Sequence, residues 1–318
     1  MQRVILMYHR VCERAAARPW FARGTAVTPI AFEQQLDWVT AHFDVVPLRT
    51  LLGGQPMDGS DAERRQAALT FDDGYADIVR DVLPRCRARG VVGTVFPVRA
   101  HLAGDGQQLW FDALYGILES RLTPAETEAD PLIEGIPLSR WVRGPEKESL
   151  QHATPQARQS LLRHLADRLG VEFPSGADLY LSEADLRELV GLGWSVGAHG
   201  TAHTRLTQLD DLALEEELRR SLEFVRAFDS GEPILAYPDG VHDARVRALV
   251  SSTGFRRALT VAPGPVTLRG QFDPLATPRY HCRGDGAVPN QALLEVELPV
   301  EAAPVEARPD DDIYDVLR

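Results

Sequence analysis

Apolar and polar positions along the chain follow two periods that take turns. Short, nearly continuous apolar runs read as buried strands: Val4–Tyr8, Val45–Leu48, Ala67–Phe71, Gly93–Val98, Trp194–Ala198, Ile234–Tyr237 and Ala258–Val261. Between them lie stretches with apolar residues three or four apart, the helical spacing. Thr28 and Pro29 supply an N-cap and a first helical position, and Phe32, Leu36, Val39 and Phe43 then form a stripe. Val79, Val82, Leu83 and Cys86 form a second stripe, which Gly90 ends. Ser182 and Asp185 have the spacing of a capping box ahead of Leu186, Leu189 and Val190. Residues 210–228 read as a long helix with Leu214, Leu218, Leu222 and Val225 inward. Glu215 and Arg219, and Glu216 and Arg220, sit four apart on its outer face. Another helix covers Val246–Val250. Repeated strand–helix units predict a parallel sheet with helices on its faces. Alternation alone does not separate a closed barrel from an open doubly wound sheet.

Residues 101–180 break this rhythm. Leu109–Leu118 and Leu161–Leu169 read as apolar helices on either side of a Pro- and Glu-rich stretch. The segment reads as a helical insertion, expected to be a structural cap in preference to a wall of the site carrying Trp110 and Trp141. The acidic, Pro-rich residues 291–318 read as an extended tail, with Ile313–Leu317 able to dock back.

The candidate chemistry sits where the strands end. Thr70-Phe71-Asp72-Asp73-Gly74-Tyr75 puts two carboxylates at the mouth of an apolar strand. Neighbouring strand side chains point to opposite faces, so simple alternation cannot give both one role. Two such charges call for a cation or a shared proton. Taken alone, the stretch is equally a polar turn. His199-Gly200-Thr201-Ala202-His203 follows another strand-like run, and Gly197 and Gly200 argue against a regular helix there. Two imidazoles and one carboxylate form a recognised set for a divalent ion such as zinc, with a position left for water.

TFDDGY, HGTAH and then Ala236-Tyr237-Pro238-Asp239-Gly240, in this order, resemble the polysaccharide deacetylase family of NodB-homology carbohydrate esterases. The resemblance covers most of residues 1–100 and 180–285. It implies a distorted (β/α)7 TIM-like barrel over residues 1–290, interrupted by the insertion. It also implies a hydrolase that releases acetate from an N-acetylated saccharide. Asp72 would be the general base, and Asp73, His199 and His203 the metal ligands. Zinc is the default ion, with cobalt, nickel or manganese as alternatives. Tyr75, Tyr237 and Asp239 would face the substrate or its oxyanion, the last through its backbone N–H. An amide leaving group also needs an acid. His9, in an N-terminal Tyr-His pair, is the candidate, and His281 competes with it. One departure stands out. The residue that aligns with the family's base-orienting arginine is Ala236, so Arg279 or Arg10 would have to replace it.

Bulk properties narrow the setting. With 34 basic and 46 acidic residues the net charge is −12, unsuited to nucleic acid or anionic membranes. Hydrophobic content of 44% is enough for a sizeable core. No run approaches a membrane span, and the apolar stretch within Met1–His9 is too short for a signal peptide. Three scattered cysteines, Cys12, Cys86 and Cys282, suit a reducing compartment. A cytoplasmic protein is therefore expected, acting on a nucleotide-linked, lipid-linked or short saccharide. Two rival enzymes and one non-enzyme compete with this reading. A haloacid-dehalogenase-type phosphatase needs aspartates two apart and gives the histidines no role. A deacylase acting on a non-carbohydrate amide, and an inactive saccharide-binding relative, are the others.

Overall fold

The structure, a computed structural model, describes residues 2–13, 25–53, 65–102, 108–123, 125–126, 129–176, 178–228, 233–266, 272–284 and 286–293. Seven parallel steps carry the sheet around a ring. Strand β1 (Arg3–Tyr8) pairs in parallel with β2 (Gln66–Asp73), β2 with β3 (Gly93–Pro97), and β3 with β4 (Ser195–Val196). A parallel bridge from Ala198 to Leu235 passes the ring to β5 (Ile234–Ala236), which pairs with β6 (Arg257–Leu259). A second bridge, Leu259 to Thr277, leads to β7 (Tyr280–His281), and β7 pairs in parallel with β1. The described residues thus form a closed ring of seven parallel strands, narrowed to single bridges at two seams.

Strand alternation sorts the side chains. Ile5, Ala68, Phe96, Ile234, Ala236 and Leu259 share one apolar cluster inside the ring. Their neighbours Val4, Leu6, Ala67, Leu69, Val95, Leu235 and Ala258 join the larger cluster between strands and helices. Leu48, Leu51 and Leu52 close the interior from the end where the strands begin. Gly197 is required at its position. A Cβ there would lie 2.2 Å from the Phe96 ring, so only glycine lets that ring fill the barrel.

The helices follow the sequence pattern with local changes. They are α1 (Pro29–His42), α2 (Leu83–Ala88), α3 (Trp110–Arg121), α4 (Pro155–Leu169), α5 (Glu183–Gly191), α6 (Asp211–Arg226) and α7 (Ala244–Thr253). Thr28 caps α1, and the Ser182–Asp185 box caps α5. The strand expected over Val45–Leu48 is only Asp44–Val45, because Pro47 starts a helical turn over Leu48–Gly53. The helix expected from Val79 opens with a π-turn over Ile78–Val82 before α2 begins. On α6, Arg219 pairs with Glu216 and Glu223, not with Glu215, while Arg220 meets Glu216 as its spacing suggests. Leu114, Ile117, Leu118, Leu162 and Leu165 of α3 and α4 build a separate cluster within the insertion. Cys12, Cys86 and Cys282 are buried and form no disulfide with one another. Among the described residues, no helix is long and apolar enough to cross a membrane. Ile313–Leu317 lies outside the described residues.

Candidate metal centre and catalytic cluster

All of the chemistry converges where the barrel strands end, the usual position in this architecture. Parity brings most of it inward. His9 continues the inward series Ile5, Met7; Asp72 continues Ala68, Thr70; and His199 continues Ser195, Gly197. Asp73 has the opposite parity. It joins the site because its backbone leaves the strand, with φ +68, followed by Gly74 at φ +78. This resolves how adjacent carboxylates can serve one centre. The same device recurs at His203 (φ +52) and Asp239 (φ +56). Left-handed backbone in non-glycine residues is costly, and its concentration here marks a functional region. Gly74 allows its turn because a Cβ would come within 2.7 Å of Pro97.

Asp73, His199 and His203 are buried and together. Asp73 Oδ1 lies 3.5 Å from Nε2 of each histidine. All three donor atoms fall within 4.8 Å of one another. Metal–ligand bonds of about 2.1 Å in a tetrahedron give ligand separations near about 3.4 Å, so the set fits an ion such as zinc. Oδ1 is a buried acceptor without a hydrogen bond, which a cation would satisfy. His199 Nδ1 lies 2.9 Å from the Ala236 carbonyl. That contact favours the Nδ1–H tautomer and leaves Nε2 as a free donor to metal. Burial acts to lower both imidazoles. The neighbouring Asp73 and Asp72 carry His199 above its ordinary range, while His203 stays below its own.

Asp72 is fixed next door. Arg279, wholly buried, donates two hydrogen bonds of 2.7 Å to its two carboxylate oxygens. A third, from Arg279 Nε to the Thr260 carbonyl (2.9 Å), anchors the guanidinium. Burial would raise the Asp72 carboxyl, but Arg279 outweighs it and holds the group far below the usual carboxylate range. Arg10, the other candidate partner, is committed elsewhere, with an ion pair to Asp77 at 2.8 Å. The rings of His9 and His281 lie 5.2 Å apart. His9 Nδ1 and His281 Nε2 are buried without a hydrogen bond. Burial, and then the neighbouring His9, push His281 well below the ordinary imidazole range.

The remaining candidates are placed differently. Asp239 is at the rim, where Arg205 Nε (2.8 Å) and Gln151 Nε2 (2.6 Å) both donate to its Oδ2. Tyr237 has outward parity; its ring lies tilted against His242 at 4.9 Å and its hydroxyl donates to the Leu275 carbonyl. Tyr75 is buried, and its hydroxyl donates to Asp112. Neither hydroxyl points at the metal ligands. Sequence reading missed the share the insertion takes in the site. Phe111 meets His203 edge-on at 5.5 Å, Gln151 holds Asp239, and Asp112 accepts from both Tyr75 and Tyr180. An aspartate within the apolar run Leu109–Leu118 was the available signal.

Residues 146–258 match the sequence model of the family described as polysaccharide deacetylase. The fold matches solved deacetylase structures across nearly all the chain. The deacetylase PplD of Streptococcus pyogenes, solved with acetate, aligns at TM-score 0.59 and 15% identity, over 94% of this chain and 99% of that one. The deacetylase domain of BpsB from Bordetella bronchiseptica aligns at 0.53 and 17%, over 87% and 94%. A proposed polysaccharide deacetylase of Bacillus anthracis aligns at 0.54 and 17%, covering 88% of this chain. Sequence likeness to the polysaccharide deacetylase family thus covers residues 146–258, and the chain shares the fold of solved deacetylases. It spans 64% of the length of the Bacillus anthracis protein. At these identities the structural likeness is one of fold. No curated protein matches this chain by sequence. The family match takes in HGTAH and AYPDG, while TFDDGY lies outside it and is carried by the fold.

Proposed function

We propose that this chain is a metal-dependent deacetylase that hydrolyses the acetamide of an N-acetylated saccharide and releases acetate. The family is one of hydrolases acting on carbon–nitrogen bonds. The observation that carries the reading is the juxtaposition of a three-donor face, Asp73, His199 and His203, with Asp72 locked onto Arg279. When bound, a divalent ion polarises the amide carbonyl and acidifies water. Asp72 accepts the proton of the attacking water. Its low carboxyl range keeps it ionised at all working pH values, and Arg279 keeps its oxygens oriented. The Asp239 N–H donates to the oxyanion, held by a side chain fixed from two directions. His9 gives its proton to the departing amine from the rim where Asp72 and the metal donors lie. His281, held neutral beside it, is the poorer donor.

The test is acetate release from a panel of N-acetylated mono- and oligosaccharides, assayed with chelator and after re-addition of zinc, cobalt, nickel or manganese. Release that depends on metal and on saccharide supports the reading. Release only from non-carbohydrate acetamides would move the chain to the amidase reading, and binding without release would make it an inactive relative.

A further inference from the structure

The loop that carries the two histidines is gripped from outside the barrel. On α6, Leu214, Leu218, Ser221, Leu222 and Val225 are buried. Glu217 falls on the same line, three residues after Leu214 and four before Ser221. It is a half-buried acid at an inward position, two residues after exposed Glu215. One of its oxygens, Oε1, accepts from the Thr201 N–H, and the other, Oε2, from the Thr201 hydroxyl. Thr201 is the central residue between His199 and His203. Its neighbour Gly200 has φ +78, and a Cβ there would come within 3.0 Å of Glu217 Oε1. On the other side, the Gly200 and Thr201 carbonyls accept from the N–H groups of Arg99 (3.2 Å) and Ala100 (2.8 Å). The loop is thus bracketed between the turn after β3 and one side chain of α6. His203 reaches Asp73 only with its own backbone at φ +52, a conformation that needs outside support.

We propose that Glu217 is a positioning residue of the metal centre: by clamping Thr201 it holds His199 and His203 convergent on Asp73. The inference rests on the metal-dependent reading above and adds to it a residue from a helix that carries no ligand. Partners beyond the ligands commonly set metal affinity by about 10- to 100-fold. The backbone bracket from Arg99 and Ala100 survives loss of Glu217, so the lower end of that range is expected.

The experiment uses full-length metal-free protein. Zinc affinity is measured by competition with a chelating dye, the visible absorption of the cobalt-loaded protein reports ligand geometry, and thermal unfolding of the metal-free form reports fold. Glu217→Ala should weaken zinc binding about 10-fold and alter the cobalt bands, while leaving metal-free unfolding unchanged, because α6 is held by its leucines. Glu217→Gln should restore most of the affinity, since its amide oxygen still accepts from the Thr201 N–H. Thr201→Val deletes one donor and should give a smaller loss in the same direction. It carries the test if Glu217→Ala does not fold. Wild-type affinity with unaltered cobalt bands in Glu217→Ala, or in Thr201→Val if that variant stands in, overturns the clamp. So does a loss that tracks destabilised metal-free protein and is not restored by Gln. A wild-type chain that takes up no metal removes the metal reading itself, a result distinct from either.

Discussion

Single residues of the site are placed so that their chemistry and their structural cost are coupled. Asp72 makes a bidentate bond to the wholly buried Arg279. Asp72→Asn leaves a buried guanidinium without its charge partner, which costs about 3–5 kcal/mol. Turnover should fall by about 10²–10⁴ from loss of the base, alongside a lower denaturant midpoint. Near-normal turnover in folded variant would take the base role from Asp72. The acid is tested by contrast between substrates. His9→Ala should lose amide hydrolysis far more than hydrolysis of an activated acetate ester, whose leaving group needs no proton. His281→Ala should slow both alike; the reverse split would transfer the role to His281. Asp112 gives a pH dependence of its own. Burial, outweighing Arg10 and the phenols of Tyr75 and Tyr180, pushes its carboxyl up to about 6. The unfolded chain releases that proton near pH ~4, so the folded state holds more protons between these values. Stability therefore falls as pH rises from about 4 to about 6, by about 3 kcal/mol. Asp112→Asn keeps an oxygen that can accept both phenols and should flatten that slope in urea titrations across the range. A slope unchanged from wild type would exclude Asp112 as its source.

At the scale of elements, the insertion is more than a cover. Its helices α3 and α4 pack on each other through their own leucines, yet three side chains reach the rim: Phe111, Asp112 and Gln151. Gln151 belongs to the short helix Pro145–His152, and its amide shares Asp239 Oδ2 with Arg205. Gln151→Ala removes one of the two bonds that fix the side chain of left-handed Asp239, the proposed oxyanion donor. The catalytic constant should drop about 10-fold, the order for one net hydrogen bond of about 1 kcal/mol plus looser placement of the oxyanion donor. Zinc affinity should not change, since no ligand is touched. A variant with wild-type turnover would show that Arg205 alone positions Asp239.

For the whole molecule, the ring of strands is filled by its own residues before any ion enters. Ile5, Ala68, Phe96 and Leu259 pack the interior, and the metal donors lie at one rim. The protein stripped of metal should therefore unfold cooperatively with unchanged far-ultraviolet circular dichroism. Adding zinc at about 100 times its dissociation constant should then raise stability by about 2.7 kcal/mol. Calorimetry of the two forms checks this, and a metal-free chain with no cooperative transition would show that the ion is part of the core. Exposed helices carry ion pairs such as Arg219–Glu216 and Arg245–Asp211.

The sequence by itself determined which residues form strands, which form helices, and which three donors could hold an ion. Those decisions are local: apolar period, caps at Thr28 and Ser182, and glycines that break helices at Gly197 and Gly200. It also carried the order of motifs that points to the family. Tertiary structure decided what depends on closing the ring. Arg279 and Asp72 are 207 residues apart, and only the closure through β7 seats one on the other in place of Arg10. The facing of Tyr237 away from the site follows from register, since a residue next to an inward Ala236 must point outward. The contribution of Gln151 and Phe111 depends on where an irregular insertion docks, which no periodicity encodes. Asp73 joins the histidines only because its backbone turns left-handed, followed by Gly74 in a turn where a Cβ would come within 2.7 Å of Pro97 across the sheet.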